Sequence, residues 1–312
     1  MPTLTDLLAS IPETPEGITL ANLLARHPGL ARRTAQRWIS QLLGQGKIAA
    51  YGAGPSRRYR AVKTVSEAGA DAFSVHIPIS ADSRDILAYV DQPIEARKPV
   101  GYQRDFLDAY EPGRTWYLPE PLRRMGDTGQ ARLPAGTHSR AILNRLLIDL
   151  SWASSHLEGN TYTRLDTREL IEHGKAAQGK AAIETQMVLN HKAAIELIVE
   201  NAGAAGFDRY TLLNLHSALS ENLLPNPADE GRPRQHAVEI ARSVYRPLSV
   251  PAQIDEMLDL LLDKANRIAD PFEQSFFVMV HLPYLQPFAD VNKRTSRLLA
   301  NLPLIRANLC PM

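Results

Sequence analysis

The stretch QPFADVNKRTSR, from Gln286 to Arg297, decides how this chain is read. The apolar periodicity of the residues that follow predicts a helix beginning at Lys293, with Asn292 as its N-cap. Lys293, Arg294 and Arg297 then crowd the first turns, where the macrodipole and uncommitted backbone N–H groups already concentrate positive charge. That placement is unfavourable unless an anion binds there, and a polyphosphate at the helix N-terminus meets the need. Lys293 and Arg297 are one turn apart and share a face. Asp290 is no partner for a phosphate, but it suits a Mg²⁺ that bridges phosphate oxygens. The plain alternative is a solvated basic turn with an incidental acid.

Outward from this turn, the chain from about 137 to 312 reads as a helical bundle. Runs such as AAIETQMVLNHKAAIELIVENAG and PAQIDEMLDLLLDKANRIA carry apolar residues at three-to-four spacing with plausible stops, and HSRAILNRLLIDLSWASSHLEGN reads as one helix. In GRPRQHAVEIARSVYRP, Val238 and Ile240 alternate instead, predicting a short β-hairpin. Glu158 stands beside Gly159 at a helix C-terminus, where the dipole disfavours an anion, so it should seek a cation elsewhere. Ser154 lies one turn back on the same face and is placed to hydrogen-bond it.

QPFADVNKRTSR resembles the Fic motif, His-Pro-Phe-x-(Asp/Glu)-Gly-Asn-(Gly/Lys)-Arg-x-x-Arg, through Pro287, Phe288, Asp290, Asn292, Lys293, Arg294 and Arg297. Ser154 to Asn160 is similar to the family's inhibitory-helix signature, and the segment around Val238 and Ile240 resembles its flap, which clamps a target segment by strand addition. The resemblance spans about 137 to 312 and implies transfer of AMP from ATP to a Ser, Thr or Tyr hydroxyl of a protein. It implies Asp290 as Mg²⁺ ligand, Val291, Asn292, Lys293 and the neighbouring amides around the phosphates, Arg294 and Arg297 on the β and γ groups, and Glu158 pairing with Arg297 to exclude the γ-phosphate. Gln286 stands where the family has its catalytic His, and a neutral amide cannot accept a proton. Val291 replaces a Gly, and Lys293 resembles the phosphate-transferring Doc branch. The expectation is thus an ATP-binding protein with altered or absent transfer; the alternatives are a non-catalytic nucleotide-sensing or dimerising regulator and a Doc-like phosphotransferase. A homodimer stays open, and the short run after Arg297 raises truncation of the domain.

At the other end, residues 1–63 read as three short helices and a β-ribbon, a winged helix-turn-helix. Between Gly17 and Ser66 there are nine Lys/Arg and no Asp/Glu, so the net charge of +1 hides a basic module. Arg32, Arg33, Thr34, Gln36 and Arg37 fall in the first turns of the third helix, with Trp38, Ile39, Leu42 and Leu43 as its buried stripe. Arg57, Arg58 and Arg60 fall on the wing, and double-stranded DNA is the expected partner. Residues 64–136, rich in Pro and Gly, read as a connector laid on the core by Phe106, Tyr110, Trp116 and Tyr117, its prolines stopping any long helix.

Composition excludes several classes. At 312 residues, 44% hydrophobic and 22% charged, the chain is an ordinary globular one rather than a disordered one. A single cysteine, Cys310, rules out internal disulfides and Cys-rich zinc sites, and no run reaches the roughly 18 apolar residues of a membrane span. The expectation is a cytoplasmic protein without a membrane partner. His191, His216 and His281 read as structural, and Ser154 to His156 lacks a nucleophile elbow.

Overall fold

The computed structural model describes residues 4–12, 17–44, 48–52, 57–61, 79–124 and 133–312, which form two compact units, Met1–Arg97 and Lys98–Met312. In the first unit, α1 (Leu4–Ala9), β1 (Ile18–Thr19), α2 (Leu20–Arg26) and α3 (Arg32–Gly44) precede β2 (Ile48–Tyr51) and β3 (Arg58–Ala61). The strands form an antiparallel sheet in the order β1-β3-β2, with Ile18 opposite Tyr59 and Tyr51 opposite Arg58. The two-residue β1 is too short to show an alternation, which is why sequence reading passes over it. Thr19 caps α2 by accepting the Asn22 N–H at 3.3 Å. Ile39 and Leu42 of α3 are buried with Leu7, Leu23, Ile48 and Tyr59, while Trp38 and Leu43 pack at the margin. Each fully buried side chain of this kind contributes about 1.5–3 kcal/mol.

The connector reading of 64–136 passes over its longest described helix. α4 (Ala81–Val90) forms in the proline-free run between Pro78 and Pro93 and is capped by Ser80, which accepts the Ser83 N–H at 3.1 Å. Residues 62–78 and 125–132 of that segment and its border lie outside the described residues.

The second unit is mainly helical. It begins with β4 (Val100–Gly101), α5 (Asp105–Asp108) and α6 (Glu120–Arg124), followed by α7 (Thr137–Ala141), α8 (Leu143–His156), α9 (Arg164–His173), α10 (Ala182–Glu200) and α11 (Arg209–Ser220). β5 (Tyr245–Arg246), α12 (Pro251–Arg267), α13 (Pro271–Leu285) and α14 (Asn292–Arg306) complete it. The single helix expected across α7 and α8 breaks at Ile142, whose φ of −112° and ψ of 15° leave the helical region. α14 runs through the middle, against α13, α11, α10 and α8, and is buried on nearly every side, polar Asn292, Thr295, Ser296 and Asn301 included. α13 starts on Pro271 with Asp270 accepting the Glu273 N–H at 2.8 Å.

Residues 98–118 lie over α12 and α13, held by two buried charges. Lys264 donates to the carbonyls of Leu107, Asp108 and Tyr110 at 2.8, 2.8 and 2.7 Å. Glu273 accepts from the Tyr110 hydroxyl and from the N–H groups of Tyr117 and Leu118 at 2.9, 2.6 and 2.8 Å. Each charge thus has the hydrogen bonds that burial demands. His281 sits in the same aromatic layer, 2.7 Å from the Tyr117 hydroxyl, and burial pushes its pKa down to about 4. Among the described residues no helix is long and apolar enough to cross a membrane.

Candidate functional site

The turn between α13 and α14 is built from two left-handed residues. Gln286 (φ 52°, ψ 57°) ends α13 and Val291 (φ 65°, ψ 6°) precedes α14. The expected Asn292 cap is not formed. Val291 occupies the N-cap position, α14 begins at Asn292, and the Asn292 side chain turns inward. Its Oδ1 accepts the Phe288 N–H at 2.9 Å, and its Nδ2 donates to the Phe288 carbonyl at 3.0 Å and to Gln286 Oε1 at 2.9 Å. The tertiary turn wins over the local cap because it satisfies both ends of the buried amide. Gln286 Nε2 donates to the Pro283 carbonyl at 2.7 Å, so that amide is occupied at both ends too. Asp290 Oδ1 accepts the Val291 N–H at 2.6 Å, so this amide does not point to a ligand; the first-turn N–H groups of Asn292, Lys293 and Arg294 have no intrahelical acceptor.

A β-branched residue in the left-handed region carries about 1–2 kcal/mol of strain. Val291 is also 2% exposed, so its replacement loses burial. Val291→Ala loses burial and keeps most of the strain, whereas Val291→Gly loses burial and relieves it. Chemical denaturation should therefore find Val291→Gly more stable than Val291→Ala by about 1 kcal/mol, the reverse of the usual order; Ala more stable than Gly would reject the left-handed backbone.

The turn opens onto a cleft of about 450 Å³ that brings together Gln286, Asp290, Val291, Asn292, Lys293 and Arg294, with Glu158 on one side and Val238 and Ile240 on another. Lys293 and Asp290 are exposed, but Arg294 is only 6% exposed and its Nη1 has no hydrogen-bond partner among the described residues. Burial pushes the Arg294 pKa down, against the stabilising pull of Asp290 and Glu158. A buried guanidinium nitrogen without an acceptor is costly, and an anion entering the cleft would supply one.

Arg297 does not line this cleft; it holds Glu158 at its edge. Arg297 Nη2 donates to Glu158 Oε1 at 2.6 Å, with the two side chains 20% and 24% exposed. The expected Ser154 to Glu158 bond is replaced by another. Ser154 Oγ accepts from Arg297 Nε at 3.1 Å, and its carbonyl accepts from Nη2 at 3.2 Å, because the guanidinium offers stronger, charged donors.

The flap segment departs from a hairpin. Its chain turns at Ile240–Ser243, with Arg242 left-handed at φ 60°, and Val238 and Ile240 flank exposed Glu239 as the alternation predicts. No ladder joins the two arms, however. β5 pairs in parallel with β4 instead, Val100 against Tyr245, and the Tyr245 hydroxyl donates to the Tyr284 carbonyl. The other arm is held by Arg234, fully buried, whose guanidinium donates to the carbonyls of Gln286 and His236 at 2.8 Å each and to that of Leu248. Arg234 thereby ties the flap to the motif turn. Nothing in its sequence context marks it, since buried arginines are rare.

His216 is stacked on Phe288 at 3.8 Å, accepts the Gly231 N–H at 3.0 Å on Nδ1, and sits with Nε2 3.2 Å from the Asp290 carbonyl. It braces the turn from behind, and burial lowers its pKa to about 4. In the first unit, Arg32, Arg33, Gln36 and Arg37 are exposed along one side of α3. Arg57 is exposed at the start of the ribbon's second arm, and Arg58 and Arg60 project from the face of β3 opposite buried Tyr59. The ribbon tip, residues 53–56, lies outside the described residues.

Residues 206–304 match the sequence model of the Fic/DOC family, a stretch that holds the flap, the motif turn and both motif arginines. The second unit therefore carries a Fic/DOC family domain. The chain is 30% identical over 162 residues to protein adenylyltransferase fic-1 of Caenorhabditis elegans, covering 50% of this chain and 31% of the relative. It is 30% identical over 164 residues to protein adenylyltransferase Fic of Nematostella vectensis, covering 51% and 38%. The chain spans only about a third of the length of these curated relatives. Among solved structures, Fic-1 of C. elegans is similar with a TM-score of 0.48 at 19% identity, over 94% of this chain and 83% of that one. A Fic-domain signalling protein of Bacteroides thetaiotaomicron gives 0.47 at 20%, over 59% and 69%.

Proposed function

We propose that the second unit binds ATP in the cleft at the start of α14, in a state restrained by Glu158, and that Gln286 leaves AMP transfer to a protein hydroxyl weak or absent. The observation that carries this reading is Arg294, buried beside Lys293 with Nη1 unpartnered. Phosphate oxygens are the acceptors that suit a planar guanidinium at a helix N-terminus. Asp290 keeps one carboxylate oxygen beyond its bond to Val291, which fits a Mg²⁺ held mainly by phosphates and water. Among the described residues no cluster of three His, Cys, Asp or Glu offers a fuller ligand set. When bound, the ion would neutralise phosphate charge; the chain's part is to orient the phosphates by Arg294, Lys293 and the first-turn amides. Val238 and Ile240 on the cleft rim suit a target segment lying along the flap. The first unit, read as a winged helix, would bring the domain to duplex DNA through Arg32, Arg33 and Arg37 of α3 and Arg57, Arg58 and Arg60 of the ribbon.

Glu158→Gly tests the restraint. It frees Arg297 for a γ-phosphate and removes a like charge, which is worth about 1–3 kcal/mol, or roughly tenfold or more in affinity. Calorimetry with ATP and Mg²⁺ should show that gain. Equal affinity in both proteins removes the restraint, and no binding in either removes the nucleotide reading.

A further inference from the structure

We infer that His191 is a positioning residue for Arg297: acting through Ser154, it holds the guanidinium in place whether or not Glu158 is engaged. Arg297 donates to Ser154 Oγ from Nε at 3.1 Å, and a guanidinium cannot accept in return. The Ser154 proton must therefore point elsewhere. His191 Nε2 lies 2.8 Å from the same oxygen and accepts that proton when the nitrogen is bare.

The far side of the neutral ring sets this tautomer. His191 Nδ1 is 2.8 Å from the Met187 carbonyl, which can only accept, so Nδ1 carries the hydrogen. Ser155 Oγ, 3.2 Å from Nδ1, can accept from the same N–H. A chain of donors results, from Arg297 Nε to Ser154 Oγ, from Ser154 to His191 Nε2, and from His191 Nδ1 to Met187. Its middle members are enclosed, with His191 0% and Ser154 1% exposed. Burial, aided by the neighbouring Arg294 and Arg297 and opposed by the Met187 bond and Glu158, lowers the ring's pKa to about 4 and keeps it neutral.

The consequence concerns what stays when Glu158 leaves. Glu158 and a phosphate compete for Nη2, but both contacts to Ser154 persist, so Arg297 keeps one rotamer and meets the incoming anion without being ordered anew. This rests on the proposed nucleotide role of the cleft only where Arg297 is taken to meet phosphate.

His191→Phe keeps the ring's bulk and removes the acceptor, leaving the Ser154 hydroxyl to turn to its own helix carbonyls. In the Glu158→Gly background, calorimetry should show ATP–Mg²⁺ affinity falling about tenfold, the size of one lost hydrogen bond to a charged group. Ser154→Ala should lose a similar amount, and the combination should fall no further than either alone. Additive losses, or no loss with His191→Phe, overturn the inference. Nitrogen NMR of the otherwise unaltered protein near neutral pH gives a second readout, independent of any variant's folding: His191 should be protonated on Nδ1 and bare on Nε2. The opposite tautomer or an imidazolium also overturns the inference, whereas failure of the Glu158→Gly protein to bind ATP, with that tautomer found, overturns only the nucleotide reading.

Discussion

Gln286→His, introduced together with Glu158→Gly, should raise transfer of label from α-labelled ATP to protein hydroxyls by about 10²- to 10⁴-fold, the usual weight of a general base. The backbone is ready for it: residue 286 ends α13 in the left-handed region and lines the cleft. The present amide is bonded at both ends, to Asn292 and Pro283, and has no proton affinity near neutral pH. An imidazole of ordinary pKa about 6.5 supplies that affinity through its one bare nitrogen, which must then be free of Asn292. Because only the neutral ring accepts a proton, the gained activity should rise with pH through that value and fall below it. Val291 lines the cleft within the same turn, so the same assay includes a triple variant with Val291→Gly. Label only in the triple variant assigns the block to Val291. Label in neither, with ATP still bound, rejects the latent-transferase reading in favour of nucleotide sensing, and label from the γ position instead points to Doc-like phosphotransfer.

Replacing Arg32, Arg33 and Arg37 together with Ala should nearly abolish binding of the full chain to duplex DNA. Neutralising about five to seven phosphates gives log affinity a slope against log salt of about −5 to −6. Three lost contacts at about 0.9 each should flatten that slope by about 2.7. Gel shifts across a salt series measure both quantities. An unchanged slope would move the contact off α3, and unchanged affinity would remove it altogether. No acid between Gly17 and Ser66 offsets these charges, and all three arginines are exposed, so the expected loss is large.

The helices and the cation cluster at the start of α14 were legible because they rest on local periodicity and on one turn of charge. That Glu158 should seek a cation was legible from its place at a helix C-terminus, whereas Arg297 as its partner came from the resemblance to the Fic motif. What failed depended on partners outside the local helical pattern. Asn292 looked like a cap, yet Phe288 and Gln286 claim its amide. Ser154 had the right spacing for Glu158 but is taken by Arg297 and His191. The flap alternation was read correctly at Val238 and Ile240, but the ladder partner came from Val100 and Gly101, in a proline-rich stretch without a strand signal. Arg234 left no trace, because a buried cation bonded to three carbonyls looks like any other arginine in one dimension.

Glu158 hangs from a short loop whose far end is tied to α10. Glu184 accepts from the Thr161 N–H and hydroxyl at 2.7 and 2.6 Å and from the Ala181 N–H at 3.0 Å, and its carbonyl accepts from Asn160 at 2.8 Å. If a ligand must take Arg297 from Glu158, the pairing is one of two states of this loop, and the tie at Glu184 helps set its weight. Any ligand that needs Arg297 binds with its intrinsic constant divided by the fraction of molecules in the other state. On the proposed reading, the sensitivity of the cleft is then a set point, adjustable at α10 by changes that never touch the bound anion.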